Sequence, residues 1–240
     1  MGKLADKIRA VRTRADRPLG FGAAANRGRH PARGLLIAAA GESANGADLL
    51  IGAGDLGDAG RLEALAAAGG AALVGVEARA LSRRGADAAE QAGIDFLLFQ
   101  IADAHAEALF SNKLDYALRL EAVPAEPTLR AIGSLRPAFV LVPPVSDPLS
   151  AQRMIELRQI ALGTGAPLAA PIPPDLSAGS LEALREAGVA VLVLARPTSE
   201  QIAALRARIA TIPERSRRPR DEESVALPSP QVAPDEEEDE

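Results

Sequence analysis

The sequence predicts a single (β/α)8 barrel, an α/β fold in which eight parallel strands alternate with helices. Three observations predict it. Apolar runs of five to seven residues recur eight times between residues 35 and 195, as expected of parallel strands buried on both faces. Helical patterns fill all but one of the gaps between them. One phrase also repeats: a helix ending in Ala-Gly, a short apolar strand, and a polar residue where the strand stops. It reads LEALAAAGGAALVGVE at 62–77, QAGIDFLLFQ at 91–100 and LEALREAGVAVLVLAR at 181–196. Glycine suits the helix end because the C-cap region favours a left-handed residue.

Taken in order, residues 3–15 predict a helix with Leu4, Ile8 and Val11 on one side and Lys3, Lys7, Arg9, Arg12 and Arg14 on the other. Pro18 ends it. Residues 19–25, LGFGAAA, read as an extra strand or plug, and NRGRHPARG after them as a basic loop. The eight barrel strands are expected at 35–40, 48–53, 72–77, 95–100, 115–121, 138–142, 167–172 and 189–195. Helices are expected at 56–68, 80–92, 102–111, 125–135, 149–163, 178–187 and 198–211. The link at 41–47, GESANGA, is too short for one. Residues 1–34 thus form an N-terminal basic helix with a plug or strand, 35–214 the barrel, and 215–240 a tail. That tail is rich in proline, then acidic, has no periodic apolar face and reads as disordered.

An open doubly wound sheet is the competing architecture. GAGDLG at 52–57 has the glycine spacing of a dinucleotide turn, and Glu77 lies about 20 residues on. Asp55 inside that turn would repel a pyrophosphate, and eight units favour closure. The 62–74 and 181–193 segments align without gaps, but they belong to the third and eighth units. A half-barrel duplication would place them four apart, so the match is shared βα grammar.

The chain has 240 residues, matching a barrel of about 250. Aromatics are 2% of it, with no Trp, so the core is Ala, Leu, Val and Ile. There is no Cys, which removes disulfides, thiolate metal sites and cysteine nucleophiles and fits a cytoplasmic protein. No signal peptide and no membrane-spanning run is seen. The net charge of −5 divides into +7 over 1–33, −7 over 34–214 and −5 over 215–240. An acidic barrel argues against a nucleic-acid partner.

The repeat grammar over about 35–212 resembles the aldolase-class TIM barrels. The resemblance implies a site at the C-terminal mouth of the strands, where Glu77, Arg79, Gln100, His105, Glu121, Ser177, Ser180, Arg196 and Thr198 fall. Glu77 and Glu121 are candidate catalytic carboxylates and, with Gln100, candidate ligands of a divalent ion such as Mg²⁺. Arg79 and Arg196 are candidate forks for a substrate carboxylate or phosphate. Ser177, Ser180 and Thr198 lie at helix starts after strands seven and eight, where barrels often hold phosphate. Ser177 is also an ordinary N-cap, and Thr198 with Gln201 an ordinary capping box. His105, beside Asp103, is the one placed candidate for general acid–base work.

The three lysines, Lys3, Lys7 and Lys113, all lie away from the mouth, so a Schiff base is not expected. With His30 and His105 the only histidines, a zinc site or a Ser-His-Asp triad has little support. Two functions stay open. One is a lyase- or isomerase-like enzyme on a small anionic metabolite, phosphorylated or not. The other is a non-catalytic scaffold recruiting partners through the basic helix and acidic tail, with the mouth charges paired by Arg196, Arg79 and Arg119. Oligomeric state is not legible.

Overall fold

A computed structural model describes residues 2–13, 34–110 and 113–213. The elements run α1 (Lys3–Thr13), β1 (Leu36–Ala40), β2 (Leu49–Ala53), α2 (Ala59–Gly69), β3 (Leu73–Glu77), α3 (Arg83–Gln91) and β4 (Phe96–Phe99). They continue as β5 (Asp115–Arg119), α4 (Glu126–Ser134), β6 (Phe139–Leu141), α5 (Ala151–Thr164), β7 (Leu168–Pro171), α6 (Ala178–Glu186), β8 (Val189–Ala195) and α7 (Ser199–Thr211). The eight strands close into a parallel barrel in sequence order. β1 meets β8 from Leu36 opposite Val191 to Ala40 opposite Ala195. The predicted (β/α)8 class is the observed one, and the open-sheet alternative is excluded by this closure. The expected strand at 19–25, the basic loop after it and the tail at 215–240 lie outside the described residues. No helix among the described residues is long and apolar enough to cross a membrane.

Two local expectations need correction. The helix expected at 102–111 is instead two short 3₁₀ turns, Ile101–Asp103 and Ala106–Phe110. The chain between them bridges to the loop after β3: Leu81 N donates to the Asp103 carbonyl and His105 N to the Leu81 carbonyl. Backbone groups spent on a neighbouring segment cannot also continue a helical ladder. β5 stops at Arg119 rather than at 121, so Glu121 belongs to the following loop. The GAGDLG turn is closed by its own carboxylate, since Gly57 N donates to Asp55 Oδ1 at 2.9 Å. Gly52 is needed there for packing: a Cβ would lie 2.4 Å from Leu65 on α2. The 41–47 link is a turn through Asn45 and Gly46, both at positive φ. Asn45 Nδ2 donates to the Pro197 carbonyl at 2.8 Å, and Arg206 of α7 donates to the Gly46 carbonyl at 2.8 Å.

Strand alternation splits the buried residues into two cores. Outward positions such as Ile37, Leu50, Val76, Leu97, Val140 and Leu192 pack under the helices. Inward positions such as Leu36, Ile51, Leu98, Ala117, Leu141 and Val193 fill the barrel. Two inward aromatics, Phe96 and Phe139, meet edge to face at 5.8 Å. Phe96 covers Gly75 of β3, where a Cβ would lie 2.2 Å from its ring. The glycine is what admits the ring.

The interior core does not end at the strands. Leu4 and Ile8 of α1 are fully buried in it, so the helix plugs the N-terminal end of the barrel. Carboxylates at the strand starts hold the plug. Asp115 Oδ2 accepts Leu4 N at 2.8 Å, capping the helix from another strand. Lys3 pairs with Asp95 at 2.8 Å and Lys7 donates to the Asp48 carbonyl at 2.8 Å. Asp48 and Asp95 also stitch adjacent strands, accepting Ile37 N at 3.0 Å and Val74 N at 2.9 Å.

Candidate functional site

The inward alternation that turns the partly buried Leu73 and the buried Gly75 of β3 toward the interior brings Glu77 to the top of that strand, facing the same way. On β5 the same alternation runs Asp115, Ala117, Arg119. β4 lies between them. Two strand spacings are about 10 Å, which two long side chains can bridge together. Glu77 Oε1 and Arg119 Nη1 form an ion pair across β4, over Leu98.

This pair borders a cavity of about 430 Å³ at the C-terminal mouth. Ile51, Leu98, Leu141 and Val193 form its floor, while Ala40 and Ala195 bound it at β1 and β8. Pro143, Pro144, Pro171 and Ile172 make a rigid apolar wall at β6 and β7. Its charged lining residues, Glu77, Arg119 and Glu121, all come from the β3–β5 side. Glu121 Oε1 accepts a hydrogen bond from Gln100 Nε2 at 2.9 Å. The site is therefore two-sided, with an apolar floor and wall facing a narrow charged edge.

Of the residues expected from sequence, Glu77, Gln100 and Glu121 come together here. Arg79 and Arg196 do not line the cavity. Both are exposed, and neither makes an ion pair among the described residues. Arg196 has a positive φ of 46°, and its N–H donates to the Ala40 carbonyl at 2.7 Å. At the rim, Arg61 holds Glu42 at 2.7 Å and draws its carboxyl below the usual range, with a smaller contribution from the Arg196 charge. His105 is exposed on the bridging segment outside the cavity.

The three helix-start residues are occupied by the chain itself. Thr198 and Gln201 form the expected capping box on α7, with Gln201 Oε1 accepting Thr198 N at 2.9 Å. At α6, Ser177 caps Ser180 N, and a carboxylate from the loop after β6 covers the helix end. Asp147 Oδ1 accepts from Ser180 Oγ at 2.6 Å and Ser177 Oγ at 2.8 Å, and Oδ2 from Ser177 N at 3.3 Å. These donors, the Ser180 hydroxyl first, hold the Asp147 carboxyl below its usual value.

A group with a depressed folded pKa contributes stability that is fully present above its unfolded value and is lost as pH falls through the folded one. Asp147→Asn is therefore expected to lower Tm by a constant amount between about pH 5 and 7, with the gap to the parent closing below about pH 4. Melting curves across that range check this; a gap that widens on acidification would contradict it.

Arg119 is the residue sequence reasoning undervalued. Its signal was the alternation from Asp115, obscured by extending β5 to Glu121. Asp147 was legible as a residue of the mouth loops, but its clamp on α6 had no local signal, since its partners lie 30 and 33 residues on. The donor set is also a poor fit for Mg²⁺. Glu77 is already neutralised by Arg119, whose charge repels a second cation, and Glu121 gives an oxygen to Gln100. Among the described residues no group of three or more His, Asp or Glu side chains is placed to hold a metal ion.

No protein-family model matches the chain, and no curated protein sequence matches it. Solved structures do. The 3-keto-L-gulonate-6-phosphate decarboxylase of Vibrio cholerae matches at TM-score 0.59 and 10% identity, over 74% of this chain and 98% of that one. Orotidine 5'-phosphate decarboxylase from Pyrococcus horikoshii matches at 0.54 and 12%, over 72% and 98%. Phosphoribosyl anthranilate isomerase from Thermus thermophilus matches at 0.54 and 16%, over 75% and 100%. The fold is that of a TIM barrel. In TIM barrels the strand C-termini carry the functional side chains. The cavity and its charged edge are at that end, opposite the α1 plug.

Proposed function

We propose that the mouth of this barrel binds a small organic anion and acts on it as a lyase- or isomerase-like enzyme. What supports the reading is the two-sided cavity: an apolar surface for the body of a ligand, with charged groups confined to one edge. A small pocket with few convergent polar groups is the usual form of a metabolite site. The solved neighbours include two decarboxylases and an isomerase, each named for a phosphorylated compound. Their identities of 10–16% speak for the fold only.

In this reading Arg119 takes the anionic group. One of its nitrogens is held by Glu77, leaving the rest of a planar five-donor guanidinium for a ligand. Glu77 is a positioning residue. Glu121, half-tethered by Gln100, is the general base for a proton next to a carbonyl, and Arg119 stabilises the negative charge that develops. Arg79 and Arg196 raise the local anion concentration at the rim. No step runs through a metal, and His105 has no part.

The alternative, a scaffold working through its termini, has less support because Lys3 and Lys7 are spent on the barrel itself. A thermal-shift screen of organic acids, phosphorylated metabolites, flavins and divalent metals tests the proposal. At least one anion is expected to raise Tm, and Arg119→Met to weaken its binding by about tenfold or more, the worth of a charge-assisted hydrogen bond. If no compound stabilises the parent, or Arg119→Met responds as the parent does, the mouth is not a ligand site of this kind.

A further inference from the structure

Resting on that reading, we infer that the mouth of this barrel is built for an unphosphorylated carboxylic acid with an apolar body, and that its phosphate position is closed by the chain's own Asp147. The first observation is the state of the two helix starts after β7 and β8. A phosphate at a helix N-terminus needs free N–H donors and a favourable field. At α6 the hydroxyls of Ser177 and Ser180 and the N–H of Ser177 converge on the Asp147 carboxylate. A phosphate there would meet a fixed negative charge and find its hydroxyl donors taken. At α7 the Thr198 N–H is taken by the Gln201 side chain and the Gln201 N–H by Thr198. Each end thus spends part of the donor set a phosphate would use on the chain itself, and α6 adds a fixed negative charge.

The second observation is the charge and surface of the cavity, where two carboxylates stand against one guanidinium. A phosphate dianion would add two charges to a lining that already carries a net negative one, whereas a carboxylate adds one and matches the fork of Arg119. The third is shape. The floor and proline wall offer hydrocarbon over most of the cavity, which suits a branched or cyclic hydrocarbon body and leaves sugar hydroxyls without partners. Its volume of about 430 Å³ is near the small end of metabolite pockets.

The test is an NMR titration of the full-length, ¹⁵N-labelled protein with four probes: 4-methylpentanoate, cyclohexanecarboxylate, inorganic phosphate and ribose 5-phosphate. The two carboxylates are expected to shift resonances around Leu98, Arg119 and Val193, with about tenfold weaker binding in Arg119→Met and unchanged binding in Asp147→Ala. Phosphate and ribose 5-phosphate are expected to leave the parent unshifted and to perturb the start of α6 only in Asp147→Ala, once the carboxylate is gone. Saturable binding of either phosphate probe to the parent at α6 or α7 overturns the inference while leaving the anion-site reading in place. Absence of mouth binding by all four probes counts against both, and the broader thermal-shift screen then decides the reading itself. Melting curves confirm that each variant is folded before titration.

Discussion

Phe96→Ala is expected to cost the barrel about 3–5 kcal/mol, the usual range for emptying a buried aromatic site. In a domain of this size that lowers Tm by roughly 10 °C. The argument begins with composition. Five Phe, one Tyr and no Trp are all the aromatic volume in 240 residues, and apart from Phe96 and Phe139 the buried interior core is Ala, Val, Leu and Ile. Phe96 is fully buried, edge-on to Phe139, over a glycine that makes room for its ring. Its interior surroundings include Ala38, Ala117 and Ala169, which are too short to fill the vacated space. A cavity that neighbours cannot collapse into gives the upper part of the range. Urea denaturation of parent and variant measures it; a loss below about 1 kcal/mol would mean the interior relaxes more than its alanines allow.

Leu4→Ala comes next, at about 2–5 kcal/mol, against less than about 1 kcal/mol for Lys3→Ala. The comparison decides what holds α1 in place. The Lys3 ammonium pairs with Asp95, first by a hydrogen bond and then by charge, which raises its pKa, but its side chain is 78% exposed and the pair is screened. Leu4 has no exposed surface and lies within the interior core. The conspicuous basic face of this helix is thus the weaker of its two attachments, and its apolar face the stronger. Should Lys3→Ala prove the costlier change, the plug is held by charge and the packing argument fails.

The fold was legible because the parallel strands here, β5 apart, are largely apolar on both faces, and a continuous apolar run can be recognised without knowing its partners. β8, expected and found at 189–195, shows this best. The capping box at Thr198 was legible for the same reason, since all its parts lie within four residues. The region after β4 was not. A helical pattern does not reveal that the backbone will be drawn across to Leu81, and that tertiary bridge overrides the local preference. At the site, Glu77, Gln100 and Glu121 followed from strand ends. Which of the three arginines would pair with Glu77 did not, because an ion pair across β4 joins residues 42 apart. Arg79, Arg119 and Arg196 were the expected partners of these carboxylates. Arg79 and Arg196 end up exposed and outside the cavity, and of the three it is Arg119, on the inward register of β5, that pairs with Glu77.

The strand-start carboxylates carry a consequence for the order of events in time. Asp115 reaches Leu4 across 111 residues, Asp95 reaches Lys3 across 92, and Arg206 reaches Asp48 across 158. Each such closure incurs loop entropy before any contact repays it, so local βα units form ahead of them. During synthesis α1 leaves the ribosome ahead of the barrel yet has no seat until β5 has been made and folded beside β4. A helix that precedes the barrel is thus among the last elements to be installed, and it waits in the meantime as a free amphipathic segment whose apolar side is uncovered. Amide exchange should record the same asymmetry in the finished molecule, with α1 opening well before the strands it closes.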